Sequence, residues 1–279
     1  MTNQSKGNAE NPGTNKGSSS SESSHSSLTI DGRELTLSGD EGESLLDVAS
    51  AHGEYIPHLC YHKSLSPHGS CKLCTIKVDG KFQSACLTTA KSGQVIENHS
   101  DEITDYRQQM IELLFAEGNH FCPSCELSGN CQLQAMAYDL GITHMRFPLT
   151  YPRRRKDGSH PDIFLDRDRC INCALCVRAS NEVDGKKVFG LAGRGADSYL
   201  QVNSPDGTLG SSDLSIDDLA ANICPVGAIS SKHNNYLQRP GQRLYDQHSI
   251  SELGNQRPDF EHMNDSNIDH ADTRKSDPS

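Results

Sequence analysis

Cys170-Ile171-Asn172-Cys173-Ala174-Leu175-Cys176, answered far downstream by Cys224-Pro225-Val226-Gly227-Ala228-Ile229, is the stretch that decides the fold. Three cysteines at two-residue spacing, with a distant fourth followed by proline, suit a 4Fe-4S cluster. In chains that hold two such clusters, a further cysteine follows the triplet after three residues and serves the second cluster. Ser180 occupies that position here, so the stretch is expected to hold one cluster, closed by Cys224. Pro225 has no N–H to donate, so it ends strand pairing and turns the chain over the cluster.

Outward from this stretch, all eleven cysteines lie between Cys60 and Cys224. The set Cys60-x10-Cys71-x2-Cys74-x11-Cys86 offers four thiolates with one close pair, which fits a 2Fe-2S cluster holding two cysteines on each iron. Small residues beside the close pair, Gly69 and Ser70, let backbone N–H groups approach the sulfides. Structural zinc is the alternative, although zinc sites generally use two closely spaced knuckles and this set has one. The middle set, His120-x-Cys122-x2-Cys125-x5-Cys131, offers three thiolates and an imidazole to zinc or to a 4Fe-4S cluster. Its place between two iron–sulfur candidates favours the cluster. His99 is the rival histidine, farther off and ahead of a helix. Counted this way, twelve ligands form three tetrads and no thiol is left over.

Disulfides compete as an explanation for so many cysteines. An odd number, tight Cys-x-x-Cys pairs and no secretory apolar run at the start argue for reduced, metal-binding thiols in a cytoplasmic setting. The hydrophobic fraction of 34% and the absence of Trp make a thin core, for which metal–thiolate bonds are a natural staple. No stretch approaches the ~20 apolar residues of a membrane span. A net charge of −11 disfavours a broad nucleic-acid face.

The expected fold class is α+β. Residues 1–27, rich in Ser, Asn and Gly, are expected to be a disordered tail. Residues 28–98 form the first unit: a hairpin at Asp31-Gly32, a short helix over 43–51, a second hairpin at Asp79-Gly80 and a last strand at Val95-Ile96. These make a small mixed sheet crossed by one helix. Residues 99–145 carry the histidine-containing set, with a helix from Asp101 to about Ala116 capped by Ser100. Ile103, Tyr106, Met110, Leu113 and Leu114 give its apolar spacing, and a second short helix follows Cys131. Residues 146–161 are a connector whose Arg153-Arg154-Arg155-Lys156 run is a solvated loop or a docking site for an acidic partner surface. Residues 162–232 form the last unit, and 233–279 an extension expected to be largely disordered after about 254.

Taken together, a 2Fe-2S unit, a centre with one His and three Cys, and a 4Fe-4S unit resemble a known arrangement. The matching stretches are Tyr55-Ile-Pro-His-Leu-Cys60-Tyr61, Leu114-Phe-Ala-Glu-Gly-Asn-His-Phe-Cys-Pro-Ser-Cys125, Gly129-Asn-Cys-Gln-Leu-Gln134, Asp166-Arg-Asp-Arg-Cys170 and Ile223-Cys-Pro-Val-Gly227. They are similar to the N-terminal part of the complex I large iron–sulfur subunit and of iron-only hydrogenases. They resemble most the diaphorase small subunit of NAD-reducing (bidirectional) hydrogenases, the HoxU type. Two departures favour that subunit: the other relatives continue into large further domains, and their histidine is usually separated from the first cysteine by three residues. Here only Phe121 intervenes. The resemblance implies a β-grasp ferredoxin-like 2Fe-2S domain, two 4Fe-4S centres and a ferredoxin-like last unit. It also implies a partner subunit carrying FMN and NAD, and the small and large subunits of a NiFe hydrogenase.

Gly193-Arg-Gly195 alone is too weak a signal for a dinucleotide site, and the chain lacks paired Cys-x-x-Cys motifs for nickel. No catalytic residue is therefore expected. The expected activity belongs to the assembled NAD-reducing hydrogenase, within which this chain relays single electrons between flavin and hydrogenase. The same relay in an NAD-dependent formate dehydrogenase or a complex I-like assembly is the alternative, and a zinc-stapled structural protein is the distant one.

Overall fold

Two identical turn dipeptides frame the first sheet. Asp31 and Gly32 (φ 49° and 80°), and again Asp79 and Gly80 (φ 50° and 77°), are both left-handed, as a two-residue hairpin turn with the right twist requires. The computed structural model describes residues 26–38, 42–233, 236 and 238–256. Of the expected tails, 1–27 and from about 254 onward, residues 1–25 and 257–279 lie outside the described residues, while Ser27 begins the first strand and residues 254–256 are described.

Strands β1 (Ser27–Ile30), β2 (Arg33–Thr36), β3 (Thr75–Val78), β4 (Lys81–Ser84) and β5 (Val95–Glu97) form one sheet in the order β2-β1-β5-β3-β4. Only β1 and β5 run parallel, with Thr29 opposite Val95. Helix α1 (Leu45–Ala51), capped by the Ser44 side chain on the Asp47 N–H, covers one face. Leu28, Ile30, Leu35, Leu45, Ile76 and Ile96 fill the layer between them. Each such side chain contributes about 2 kcal/mol by leaving water.

Ser100 caps α2 (Asp101–Glu117), accepting from the Ile103 N–H. The buried face of α2 differs from the expected apolar stripe: Ile103, Arg107, Ile111, Glu112 and Ala116 are buried, while Leu113 is exposed. Charged side chains sit inward because each meets a full set of partners. Arg107 donates to the carbonyls of Leu73, Thr75 and Asn98 and to Asn98 Oδ1 at 2.7–3.2 Å. Glu112 accepts from Arg146 Nε at 2.8 Å. Burial pulls the Arg107 pKa down to about 10, which leaves it cationic at neutral pH.

Beyond α3 (Gln132–Asp139), the expected connector contains a short edge strand, β6 (Lys156–Asp157), which pairs with β7 (Ile163–Asp166). β10 (Ile229–Ser231) pairs with the other side of β7, Ile229 facing Leu165. Helices α4 (Leu175–Glu182) and α5 (Leu219–Asn222) and the hairpin of β8 (Phe189–Ala192) with β9 (Tyr199–Val202) complete the last unit. The chain then returns across the middle segment through α6 (Ile250–Leu253). Asn255 joins this returning segment to the first two parts: its Nδ2 donates to His58 O and to Gln132 Oε1 (2.9 Å), and its Oδ1 accepts from Tyr55. No described helix is long and apolar enough to cross a membrane.

Candidate metal centres

The first tetrad closes as two pairs. Cys74 Sγ lies 3.3 Å from Cys86 Sγ, while the Cys71 N–H donates to Cys60 Sγ at 3.4 Å and the Leu59 N–H to Cys71 Sγ at 3.4 Å. All four residues are buried. Lys72 (φ 58°) and Gly69 (φ 69°) bend the loop so that backbone N–H groups turn toward sulfur. A Cβ on Gly69 would also stand 2.4 Å from Leu87 Cδ1, so the bend is filled from behind. Within each pair one thiol yields its proton more readily. The hydrogen bond from Cys71 pulls Cys60 down to about 5, and the one from Cys74 lowers Cys86, while Cys71 and Cys74 are raised. Two sulfurs per pair, two pairs side by side, match the demand of a two-iron centre.

The second set lines an enclosed cavity with His120, Cys122, Cys125, Cys131, Phe115 and Arg169 on its walls. The Phe115 ring meets the imidazole edge-on at 5.3 Å. His120 Nε2 is buried with no hydrogen-bond partner among the described residues. An orphaned buried nitrogen costs about 1–3 kcal/mol, and a metal is the partner the site chemistry offers. Burial, then the Arg169 charge, hold its pKa down to about 4, so the ring is neutral and its lone pair free. Two glycines make the room. A Cβ at Gly118 would lie 2.3 Å from His120 Nε2, and one at Gly227 would lie 2.9 Å from Cys125 Sγ. Burial raises all three thiols, Cys131 to about 12, so they ionise only with a cation in place. The rival His99 lies elsewhere: its Nδ1 pairs with Asp31 Oδ2 at 2.8 Å on the first sheet.

The third set surrounds a second enclosed cavity lined by Cys170, Cys173, Cys176, Cys224, Leu200 and Val226. Asn172 (φ 51°) and Ala174 (φ 57°) are left-handed, the local strain that lets a Cys-x-x-Cys-x-x-Cys loop wrap a compact body. Asp184 positions the remote fourth cysteine by accepting from the Leu219 and Ala220 N–H groups at 3.0 and 2.9 Å, just ahead of Cys224. Ser180, at the place of a further cysteine, is fully buried; its Oγ accepts from the Val188 N–H at 2.8 Å and fixes the turn toward β8. Burial raises Cys170 to about 11 and Cys173 and Cys176 further. Such thiols are poor nucleophiles, and they ionise when a cation is in place.

The tetrads adjoin one another. Arg178, on the helix that carries Cys176, donates to Cys60 O at 2.6 Å and to Ser66 O, tying the third set to the first. Gly227, three residues after Cys224, packs on Cys125 of the second. Cysteines of all three sets belong to one continuous core. Sequence reasoning did not find Arg107, Arg178, Asp184 or Asn255. A buried charge satisfied by backbone carbonyls carries no motif.

Comparison with known proteins gives three matches to family models. Residues 24–101 match a 2Fe-2S iron–sulfur cluster binding domain, 107–146 the iron–sulfur binding region of NADH-ubiquinone oxidoreductase-G, and 160–230 the ferredoxin-like domain of NADH-quinone oxidoreductase subunit 3. The mitochondrial NADH-ubiquinone oxidoreductase 78 kDa subunit of Candida albicans is 31% identical over 76% of the chain but only 29% of its own length. The gamma subunit of the NAD-reducing hydrogenase HoxS of Cupriavidus necator is 40% identical over 80% of the chain and 94% of that protein. A chain in the crystal structure of an NAD+-reducing NiFe-hydrogenase in the H2-reduced state superposes with a TM-score of 0.79 at 43% identity, covering 82% of this chain and 97% of that one. The chain belongs to the family of the iron–sulfur gamma subunit of NAD-reducing hydrogenases.

Proposed function

We propose that the chain is the electron-relay subunit of an NADH-linked diaphorase, working between a flavin- and NAD-binding partner and the small and large subunits of a NiFe hydrogenase. In this reading the first unit is a β-grasp ferredoxin-like domain holding a 2Fe-2S cluster on Cys60, Cys71, Cys74 and Cys86. His120, Cys122, Cys125 and Cys131 hold one 4Fe-4S cluster, and Cys170, Cys173, Cys176 and Cys224 another. Clusters bound there would take up and give out single electrons, the service required once a flavin has accepted the two-electron hydride of NADH.

One observation carries the reading: three donor sets of the right number and type adjoin one another around a core that takes cysteines from each, joined through Arg178 on one side and Gly227 on the other. The residues of this chain exclude water, hold backbone N–H groups toward sulfur and keep His120 unprotonated. The higher identity to the hydrogenase subunit, 40% against 31% for the ubiquinone-oxidoreductase relative, favours a hydrogenase partner.

Anaerobic purification of the tagged full chain from its own host tests this. The expected preparation is brown and brings down an FMN-bearing, NADH-oxidising subunit together with nickel-containing subunits. Recovery of formate dehydrogenase or quinone-oxidoreductase subunits instead would move the relay to another enzyme. A colourless zinc protein would end the relay reading.

A further inference from the structure

Arg169 stands immediately before the first cysteine of the third tetrad, yet its guanidinium reaches the second. Nη1 lies 3.6 Å from Cys125 Sγ and 3.3 Å from Gly227 O, and it is also paired with Glu126. Nε lies 3.1 Å from Asp166 Oδ2, whose other close cation is Lys156 at 3.0 Å. The side chain is 16% exposed. The cations that act on Cys170 are instead Arg154 and Arg167. Arg169 therefore belongs to the third unit by sequence and to the second centre by electrostatics. We propose that Arg169 is the positioning residue that sets the midpoint potential of the His120/Cys122/Cys125/Cys131 centre, with Glu126 as the opposing charge that trims its effect.

Charge and shape together give Arg169 this role, which rests on the cluster assignment proposed above. A cysteine that binds iron does so as thiolate, and a cationic donor on that sulfur favours whichever state of the centre is more negative. Reduction adds one electron and makes or breaks no bond at these residues, so Arg169 stabilises the reduced form and raises the potential. Glu126, on the same guanidinium, subtracts from that field. Lysine cannot replace it fully, since a point charge cannot serve Asp166, Glu126, Gly227 O and Cys125 together as a planar fork does. Gly227 is part of the device. A Cβ there would stand 3.4 Å from Arg169 Nη1 as well as 2.9 Å from Cys125 Sγ, narrowing the slot the guanidinium occupies.

The test is an EPR-monitored redox titration of the anaerobically purified complex carrying Arg169→Gln, Arg169→Lys or Glu126→Gln, with Cys125→Ser identifying the signal of the second centre. Arg169→Gln is expected to move that signal to a lower midpoint and leave the third centre unshifted. Arg169→Lys recovers part of the shift, and Glu126→Gln moves the midpoint upward. Opposite signs from two neighbouring substitutions cannot come from loosened packing alone. An unmoved second centre in Glu126→Gln, or shifts of the same sign in both charge variants, overturns the proposal. If Arg169→Gln fails to assemble the second centre, the direction seen in Glu126→Gln decides. A wild-type spectrum that Cys125→Ser leaves unchanged overturns the ligand assignment itself, and this proposal with it.

Discussion

Replacing Gly118 with alanine adds a single methyl group beside the His120 imidazole, and the structure says how much room it finds. Its Cβ would lie 2.3 Å from Nε2, 2.5 Å from Cδ2 and 3.2 Å from Asp168 O. Non-bonded carbon contacts are comfortable at about 3.5 Å, so the overlap is about 1 Å. Backbone strain plays no part, because φ −106° and ψ 175° at Gly118 suit any residue. The loop has little freedom to retreat: the Asn119 N–H donates to Asp168 O at 2.8 Å, and the Thr150 N–H to Ala116 O at 3.0 Å. The ring must therefore swing, by several times the ~0.2 Å that a metal–ligand distance tolerates. Overpacking of this kind costs roughly 1–3 kcal/mol, and the ligand bond goes with it. EPR of Gly118→Ala should show the second centre lost or altered and the other two unchanged, with iron falling from about ten toward about six per chain if that cluster is absent. Three unaltered signals at unchanged potentials would refute the geometry.

Other perturbations reach other joints. The buried His120 has a folded pKa of about 4, below the ordinary ~6.5, so the unfolded chain takes the proton first. Stability from this group is intact above about pH 6.5 and lost as pH falls toward 4; because the folded ring resists protonation over that range, the second EPR signal should persist at pH 5. Loss of the signal near pH 6.5 would contradict the buried, neutral ring. Arg107→Met removes four donated bonds to carbonyls around the first tetrad and should cost about 3 kcal/mol or more, read as a lower melting temperature and incomplete 2Fe-2S loading. Asn255→Ala should cost about 1–3 kcal/mol and speed amide exchange in residues 244–256, with all EPR signals retained.

How much of this could be read from sequence depended on whether a feature is local. Both hairpins announced themselves through Asp-Gly dipeptides, and α2 through Ser100 and its acidic first turn. The cysteine spacings sorted the thiols into sets that the structure draws together. His120 could be chosen over His99 only by proximity in sequence; the unpartnered Nε2 supplies a physical ground. The α2 stripe cannot be read correctly from apolar spacing, because Arg107 and Glu112 are inward and Leu113 outward, an inversion that depends on carbonyls and an arginine from remote segments. Asn255 had no signature either, since a strap is defined by what it crosses. The Arg169 guanidinium serves a set it does not precede, which no linear spacing reveals.

The central claim is that these side chains hold three iron–sulfur centres. Iron and acid-labile sulfide measured per chain in the anaerobic complex, after subtracting the partner subunits' share, test it most directly. About ten of each are expected, as one two-iron and two four-iron centres require. About three zinc ions with no sulfide would contradict it.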